Sequence, residues 1–147
     1  MKKVIRFTPA LLAGICVMLL GAMACVAEQE EIPGLGFTSQ NGSCAQAEES
    51  SASISIAGNR VTFTGSAITP DPCHRLDAGL DHTSFPNSSQ PDRLTVDIVA
   101  LPGDQPCIQC IGEVPFSGEV GPLGSGEYEV SIVYDGDLLA QERITIE

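Results

Sequence analysis

Positive charge is scarce in this sequence, which has no lysine after residue 3 and no tryptophan anywhere. After the first 24 residues, four arginines stand against all nineteen acidic residues, so the formal net charge of that part is −15. Nucleic-acid binding needs clustered lysine and arginine to neutralise phosphates, and an anionic lipid surface would repel such a chain. The charge therefore predicts a solubilising acidic surface and no nucleic-acid partner. A calcium site needs a loop of oxygen ligands, and we find none in the sequence.

Catalytic signatures are lacking as well. The sequence has no G-x-S-x-G, no H-E-x-x-H and no glycine-rich phosphate loop, and no spacing that would assemble serine, histidine and aspartate. His74 falls on the same parity as Leu76 and Leu80, which predicts a hydrogen-bonded packing residue, and His82 precedes a loop, where it is expected to be solvent-exposed. We therefore predict that the protein is not an enzyme and has no catalytic residue, metal or cofactor.

The first 24 residues have the pattern of a secretory signal peptide. Three basic residues precede an apolar run from Ala10 to Ala24, which is too short for an ordinary membrane span. Two endings remain open. An A-x-A site at Ala22-Met23-Ala24 predicts a secreted protein, whereas the small residues before Cys25 resemble a lipobox, with Ala22 in place of the usual leucine, and predict a lipid on Cys25. In the second case the lipid would be the only link to the membrane and would hold the protein at its outer face.

The remaining chain shows strand periodicity and no helical period. Large apolar residues alternate with polar ones from Tyr128 to Tyr134, and Asp135-Gly136 then predicts a type I′ hairpin turn. Gly58-Asn59 predicts a second hairpin, and further alternating stretches occur at 75–80, 93–101 and 107–116. About seven strands with loops between them predict an all-β, two-sheet antiparallel sandwich over 51–147. Residues 25–50 are acidic and lack sustained periodicity, and they are predicted to be a flexible tether or arm.

The stretch around Tyr128 resembles an immunoglobulin pattern. In Gly124-Ser125-Gly126-Glu127-Tyr128-Glu129-Val130, a glycine precedes a tyrosine by two residues, as where immunoglobulin strand F opens. The resemblance implies an immunoglobulin-like sandwich in which the Tyr128 hydroxyl bonds to upstream backbone as a tyrosine corner. The alternative is a buried tyrosine without that bond. The usual cysteine is Val130 here, so the antibody-type core pair is missing.

Four cysteines follow Cys25, an even number that predicts disulfides in an exported domain. If Cys107 and Cys110 lie on one strand, they are about 10 Å apart, beyond the roughly 7 Å that a disulfide tolerates between Cα atoms. Cys73 and Cys107 both stand at strand starts on the outward parity, whereas Cys110 is inward, so we predict Cys73 with Cys107 and Cys44 with Cys110. A bond between Cys107 and Cys110 would require a turn there. Two alternatives remain: a C-x-x-C redox pair at Cys107 and Cys110, and a zinc site made of these two residues with Cys73 and His74.

Two N-x-S sequons lie in predicted loops, at Asn41 and Asn87, and could carry glycans.

Four segments together, PCHRLDAGLD, RLTVDIVAL, PCIQCIGEVPF and SGEYEVSIVYDG, resemble a loose group of small, acidic, exported or lipid-anchored prokaryotic proteins, many of them archaeal. The resemblance spans 61–133 and implies a disulfide-clamped β-sandwich, but the group carries no activity to transfer. The first hypothesis is a non-catalytic surface module that binds an unknown protein or surface polymer. The second is an inhibitor of extracellular hydrolases that presents the loop 84–92. The sequence does not fix the oligomeric state.

Overall fold

A computed structural model of the protein describes residues 33–86 and 88–147, so the predicted signal peptide, Cys25 and Asn87 lie outside the described residues. The described part contains no helix, and accordingly none that is long and apolar enough to cross a membrane. It contains nine strands: β1 (Gly34–Ser39), β2 (Ser43–Cys44), β3 (Ser51–Ala57), β4 (Arg60–Thr69), β5 (Arg75–Thr83), β6 (Asp92–Leu101), β7 (Gly112–Gly121), β8 (Gly126–Tyr134) and β9 (Asp137–Ile146).

The strands form two sheets that face each other across one core. The five-stranded sheet has the order β1-β7-β4-β3, with β2 also paired to β7, and the four-stranded sheet has the order β5-β6-β8-β9. The all-β sandwich is thus confirmed, with the seven expected strands present and β1 and β2 in addition. Six of the seven strand pairings are antiparallel, as predicted, and the exception is the parallel pair of β6 and β8. Parallel strands need a crossover between them, and β7, which belongs to the other sheet, provides it.

The segment predicted to be a flexible arm contributes strands instead. Within 25–50, β1 and β2 both pair with β7. Leu35 and Phe37 alternate with small residues, and the Phe37 ring stacks on Phe63 and Phe116 at centroid distances of 6.4 and 6.1 Å. This apolar face is a strand signal, but glycines occupy two of the three outward positions, which weakens the alternation in the sequence.

The strand predicted to begin at Cys107 begins five residues later, at Gly112. The Cys110 amide donates to the Ile108 carbonyl at 3.2 Å, which bends the chain into a tight turn that no strand could contain. A side chain at Gly112 would overlap the backbone of Asp71, so the strand enters the sheet at a point that only glycine can occupy. Residues 102–111 therefore form a loop.

Large apolar residues from both sheets fill the core. In the five-stranded sheet, two rings lie opposite glycines: Phe63 pairs with Gly118 across β4 and β7, and Gly65 pairs with Phe116. A Cβ at either glycine would overlap the phenylalanine ring opposite it. The four-stranded sheet supplies aliphatic side chains with at most 1% exposure: Leu94, Val96, Ile98, Val130 and Ile132.

The Tyr128 hydroxyl bond and the two hairpin turns agree with local predictions, and Tyr134 adds a bond that was not predicted. The Tyr128 hydroxyl donates to the Gly124 carbonyl at 3.0 Å, the bond expected of a tyrosine corner. The Tyr134 hydroxyl donates to the Ile68 carbonyl at 2.9 Å and so joins the two sheets. Burial raises the pKa of Tyr134, so this hydroxyl stays protonated and able to donate. Both hairpin turns form where expected, with positive φ angles at Asp135-Gly136 and at Gly58.

Because phenylalanine rings pack against particular glycines, substitutions of different glycines should differ in their effect on the free energy of unfolding. Gly118→Ala should lower the free energy of unfolding by about 1 to 3 kcal/mol, because the added methyl group must displace the Phe63 ring or the Gly36 carbonyl. Gly79→Ala is the matched control, since a Cβ at that strand position has no neighbour within 4 Å. Urea unfolding of the two variants measures the difference. Equal stabilities would show that the ring positions are not set by these glycines.

Candidate functional site

The loops that carry both disulfides lie together at one end of the sandwich, which we call the disulfide end. It is formed by residues 40–50, 70–74 and 102–111 and by the 135–136 turn. Strand register brings them together: Thr69 pairs with Gly112, and Arg75 pairs with Leu101. The opposite end carries the start of β1, where Gly34 pairs with Gly121, together with the 58–59 turn and the 84–91 loop.

Two disulfides fix the 102–111 loop at two points. Cys107 is bonded to Cys73 and Cys110 to Cys44, with Cα separations of 5.9 and 5.7 Å. These are the pairs expected from the sequence, although the expectation assumed a strand where the structure has a loop. The two bonds indicate an oxidising environment of the extracellular kind.

The same bonds decide what Cys107 and Cys110 can do in this structure. They are bonded to different partners and not to each other, so they do not form a C-x-x-C disulfide. Potential ligand atoms of Asp71, Cys73 and Cys107 lie within 4.8 Å of one another, but both sulfurs belong to a disulfide. Zinc binds cysteine as the thiolate, and neither sulfur is available in that form.

Asp71 organises the turn that leads from β4 to the first disulfide. Pro70 and Pro72 flank it, and its Oδ1 accepts a hydrogen bond from the Cys73 amide at 3.0 Å, in the manner of an Asx turn. His74 Nδ1 lies 3.0 Å from the same oxygen. The His74 side chain is only 13% exposed, as expected for a hydrogen-bonded packing residue. The hydrogen bond with His74, more than any other interaction, holds the pKa of the Asp71 carboxyl below its usual value.

An open groove of about 500 Å³ lies between this turn and the disulfide-bonded loop. Its lining offers amide, carboxylate and apolar groups and two disulfides, from residues Pro70, Asp71, Gln105, Cys107, Ile108, Gln109 and Cys110. Ile108 in this lining and Ile111, which follows Cys110 in the loop, are 66% and 62% exposed, the highest values among the large apolar residues of the described chain. Such a surface can make apolar contacts and hydrogen bonds to a partner.

Strand parity does not predict these isoleucines as surface residues, because it makes Ile108 an inward strand position. The signal that could have predicted their position in a loop is the set of proline and glycine residues around them. Pro102-Gly103 and Pro106 precede the loop, Gly112 ends it, and both kinds of residue are frequent in turns.

The other sequence candidates lie elsewhere. The 84–91 loop is at the opposite end, held by Asp92, which accepts bonds from the Phe85 amide at 2.8 Å and the Ser84 hydroxyl at 3.2 Å. His82 Nε2 lies 3.7 Å from the same carboxylate, and His82 is an exposed residue, as expected. Asn41 is exposed at the disulfide end, whereas Cys25 and Asn87 lie outside the described residues.

Each disulfide is expected to contribute to stability by limiting the unfolded chain. Replacing both cysteines of either pair by alanine should lower the free energy of unfolding by about 2 to 4 kcal/mol. Cys44–Cys110 spans 66 residues and Cys73–Cys107 spans 34, so the first loss should be somewhat larger. Urea unfolding of the two double variants tests this. An unchanged midpoint for either variant would contradict it.

The Asp71–His74 contact predicts a pH dependence at the acid end. Because the pKa of folded Asp71 lies below its ordinary value of 3.8, the contact stabilises the fold above that pH and loses its effect as the pH falls below it. His74→Ala should raise the pKa of Asp71 toward 3.8, as measured by NMR titration of its carboxyl carbon. His82→Ala is the matched control, because His82 contacts Asp92 instead. A pKa that stays low in His74→Ala would assign the shift to the backbone amides.

The disulfide end thus combines a fixed loop, an open groove and two exposed apolar side chains, an arrangement suited to contact with another molecule. In comparisons with known proteins, no family model, no curated protein and no solved structure matches the chain.

Proposed function

We propose that the protein is a non-catalytic binding module outside the cell, held at the outer face of the membrane by a lipid on Cys25, which contacts a protein partner with its disulfide end. The observation that carries this proposal is the exposure of Ile108 and Ile111 on a loop fixed by two disulfides. Exposed apolar residues on a rigid support are typical of the centre of a protein interface.

The direction of the chain supports this orientation. The chain enters the sandwich at Gly34, at the end opposite the disulfides. Strands of nine or ten residues separate the two ends by about 30 Å at 3.3 Å per residue. A lipid on Cys25 would therefore lie on the membrane side, and the disulfide end would point away from the membrane toward a partner.

The rigidity of the loop supports binding over a purely structural role. A flexible loop loses conformational freedom on association, which lowers affinity, and a pre-organised loop avoids most of that loss. Cys107 and Cys110 fix the residues on either side of Ile108, and the Ala45 amide bonds to the Ile111 carbonyl at 2.8 Å. Both isoleucines are thus held in place before a partner arrives.

Charge at this end favours a partner with a basic surface. Acidic side chains give this end a net negative charge, and they are Glu48, Glu49, Asp71, Asp104, Glu113 and Asp135. Charged groups at an interface rim mainly speed association and select partners, with a strong dependence on salt. Association should therefore slow as the ionic strength rises.

We further propose that the sandwich is related to the immunoglobulin fold. It is supported by the Tyr128 corner and by the two-sheet architecture. Immunoglobulin variable domains use loops at one end of such a sandwich for binding, which is the arrangement proposed here. The parallel pairing of β6 with β8 departs from the antiparallel sheets of that fold.

Site-specific photo-crosslinking in the natively exported protein tests the contact surface. A photoreactive residue at position 108 should give one discrete adduct on the cell surface, and adding the charge substitution Ile111→Asp should reduce its yield about tenfold or more, as expected for a buried interface residue. Position 56 is the matched control, because Ile56 is 48% exposed on β3 near the opposite end. No adduct at 108, or equal adducts at both positions, would reject the disulfide end as the binding surface.

A further inference from the structure

The outer face of the five-stranded sheet is lined with hydroxyl groups. Serine and threonine occupy about half of the outward positions on β1, β3, β4 and β7: Thr38, Ser51, Ser53, Ser55, Thr62, Thr64, Ser66 and Ser117. We call these eight residues the hydroxyl face. Their inward neighbours form the core, so strand alternation alone points every one of them to solvent.

Strand register arranges the hydroxyl groups in rows. One row crosses four strands, because Ser53 pairs with Thr64, Thr64 with Ser117, and Ser117 with Thr38. Within a sheet such rows repeat at about 4.8 Å between strands and about 6.7 Å along them. The Ser53 and Thr64 hydroxyl oxygens lie 3.1 Å apart, so neighbours in the row already share a hydrogen bond. The face thus presents donors and acceptors at regular intervals.

The hydroxyl face is close to neutral in a strongly acidic molecule. The outer face of its sheet carries three charged residues, of which Arg60 and Glu119 form an ion pair at 2.8 Å and Glu113 lies beside β2 at the disulfide end. The outer face of the other sheet carries five acidic residues and three arginines: Asp77, Asp81, Asp97, Glu127, Glu129, Arg75, Arg93 and Arg143. Charged side chains are therefore fewer on the hydroxyl-bearing side, with three against eight on the outer face of the other sheet.

This chemistry excludes most classes of partner for the face. Protein interfaces have aromatic, methionine or arginine side chains at their centres and are poor in serine. Nucleic acids and anionic lipids need basic residues, and the one arginine on this face is already paired. A neutral polymer of repeating hydroxyl groups is neither repelled by the acidic domain nor in need of an apolar centre.

We propose that the hydroxyl face binds a neutral polysaccharide. Successive sugar hydroxyls exchange hydrogen bonds with successive rows of serine and threonine. Each contact is weak, and a repeating ligand makes many of them at once on a repeating surface. The face lies on the side of the sandwich and not at the disulfide end, so this inference does not depend on the protein contact proposed above. Together, the two surfaces would let the module lie against a neutral glycan layer while its end contacts a protein.

The test is co-sedimentation of the natively exported protein with four insoluble neutral glycans, namely cellulose, chitin, starch and a β-1,3-glucan. Binding to at least one is expected, with little change between low salt and about 1 M salt, because no charged contact is involved. The triple variant Ser53→Ala, Thr64→Val, Ser117→Ala should raise the Kd about tenfold or more, since each lost hydrogen bond costs about fivefold.

A matched control comes from the other sheet. Thr95→Val with Ser131→Ala removes hydroxyls from its charged outer face and should leave binding unchanged. Valine keeps the branched shape of threonine, and urea unfolding of both variants verifies that they fold. Absence of binding to all four glycans, equal loss in the control, or binding that disappears at high salt would each overturn the proposal.

Discussion

The pairing of β4 with β7 is the interaction on which the rest of the structure depends. It runs over nine residue pairs, and each of its two phenylalanines, Phe63 and Phe116, sits opposite a glycine of the other strand. The rings can then occupy the space between the sheets without pushing the strands apart. Because β7 is fixed in this sheet, it separates β6 from β8 in the chain and makes that pair parallel. Its first residue, Gly112, is packed against the Asp71 backbone, which places the disulfide-bonded loop beside the turn that carries Cys73.

Structure that depends on neighbouring residues was predictable from the sequence, and strands that depend on partners far along the chain were not. The hairpin turns at Gly58-Asn59 and Asp135-Gly136 follow from residues that tolerate positive φ, and the strands they join follow from alternation. By contrast, β1 is a strand because it pairs with residues far along the chain, Gly34 with Gly121, and no property of its own six residues requires that partner. The prediction for the segment from Cys107 to Ile111 was wrong in the opposite way, because a strand was predicted where the structure has a loop. Its isoleucines imitate a strand, and only the disulfides and the turn at Cys110 show that it is a loop.

The candidate site was predictable to a similar degree. The predicted disulfide pairs form, although the strand assumed in predicting them does not. The turn at Cys110 removes the distance argument against a bond between Cys107 and Cys110, so the agreement does not follow from that argument. The role of His74 followed from its parity, and the structure adds Asp71 as the partner that orients it. Neither the groove nor the hydroxyl face was predictable in the same way, because both require residues distant in sequence to be placed side by side.

The two disulfides also explain how apolar residues can stay exposed on the loop. An unconstrained loop bearing Ile108 and Ile111 would gain free energy by burying them against any nearby apolar surface. Here Cys107 fixes the loop to the 70–74 turn and Cys110 fixes it to β2, and both isoleucines remain in solvent. Maintaining such exposure in a domain this acidic costs little solubility, because the net charge keeps copies of the chain apart. The negative net charge of the domain does not repel neutral molecules, and it attracts basic ones. Under the two proposals above, the charge distribution would favour a basic partner at the disulfide end and a neutral one along the hydroxyl face.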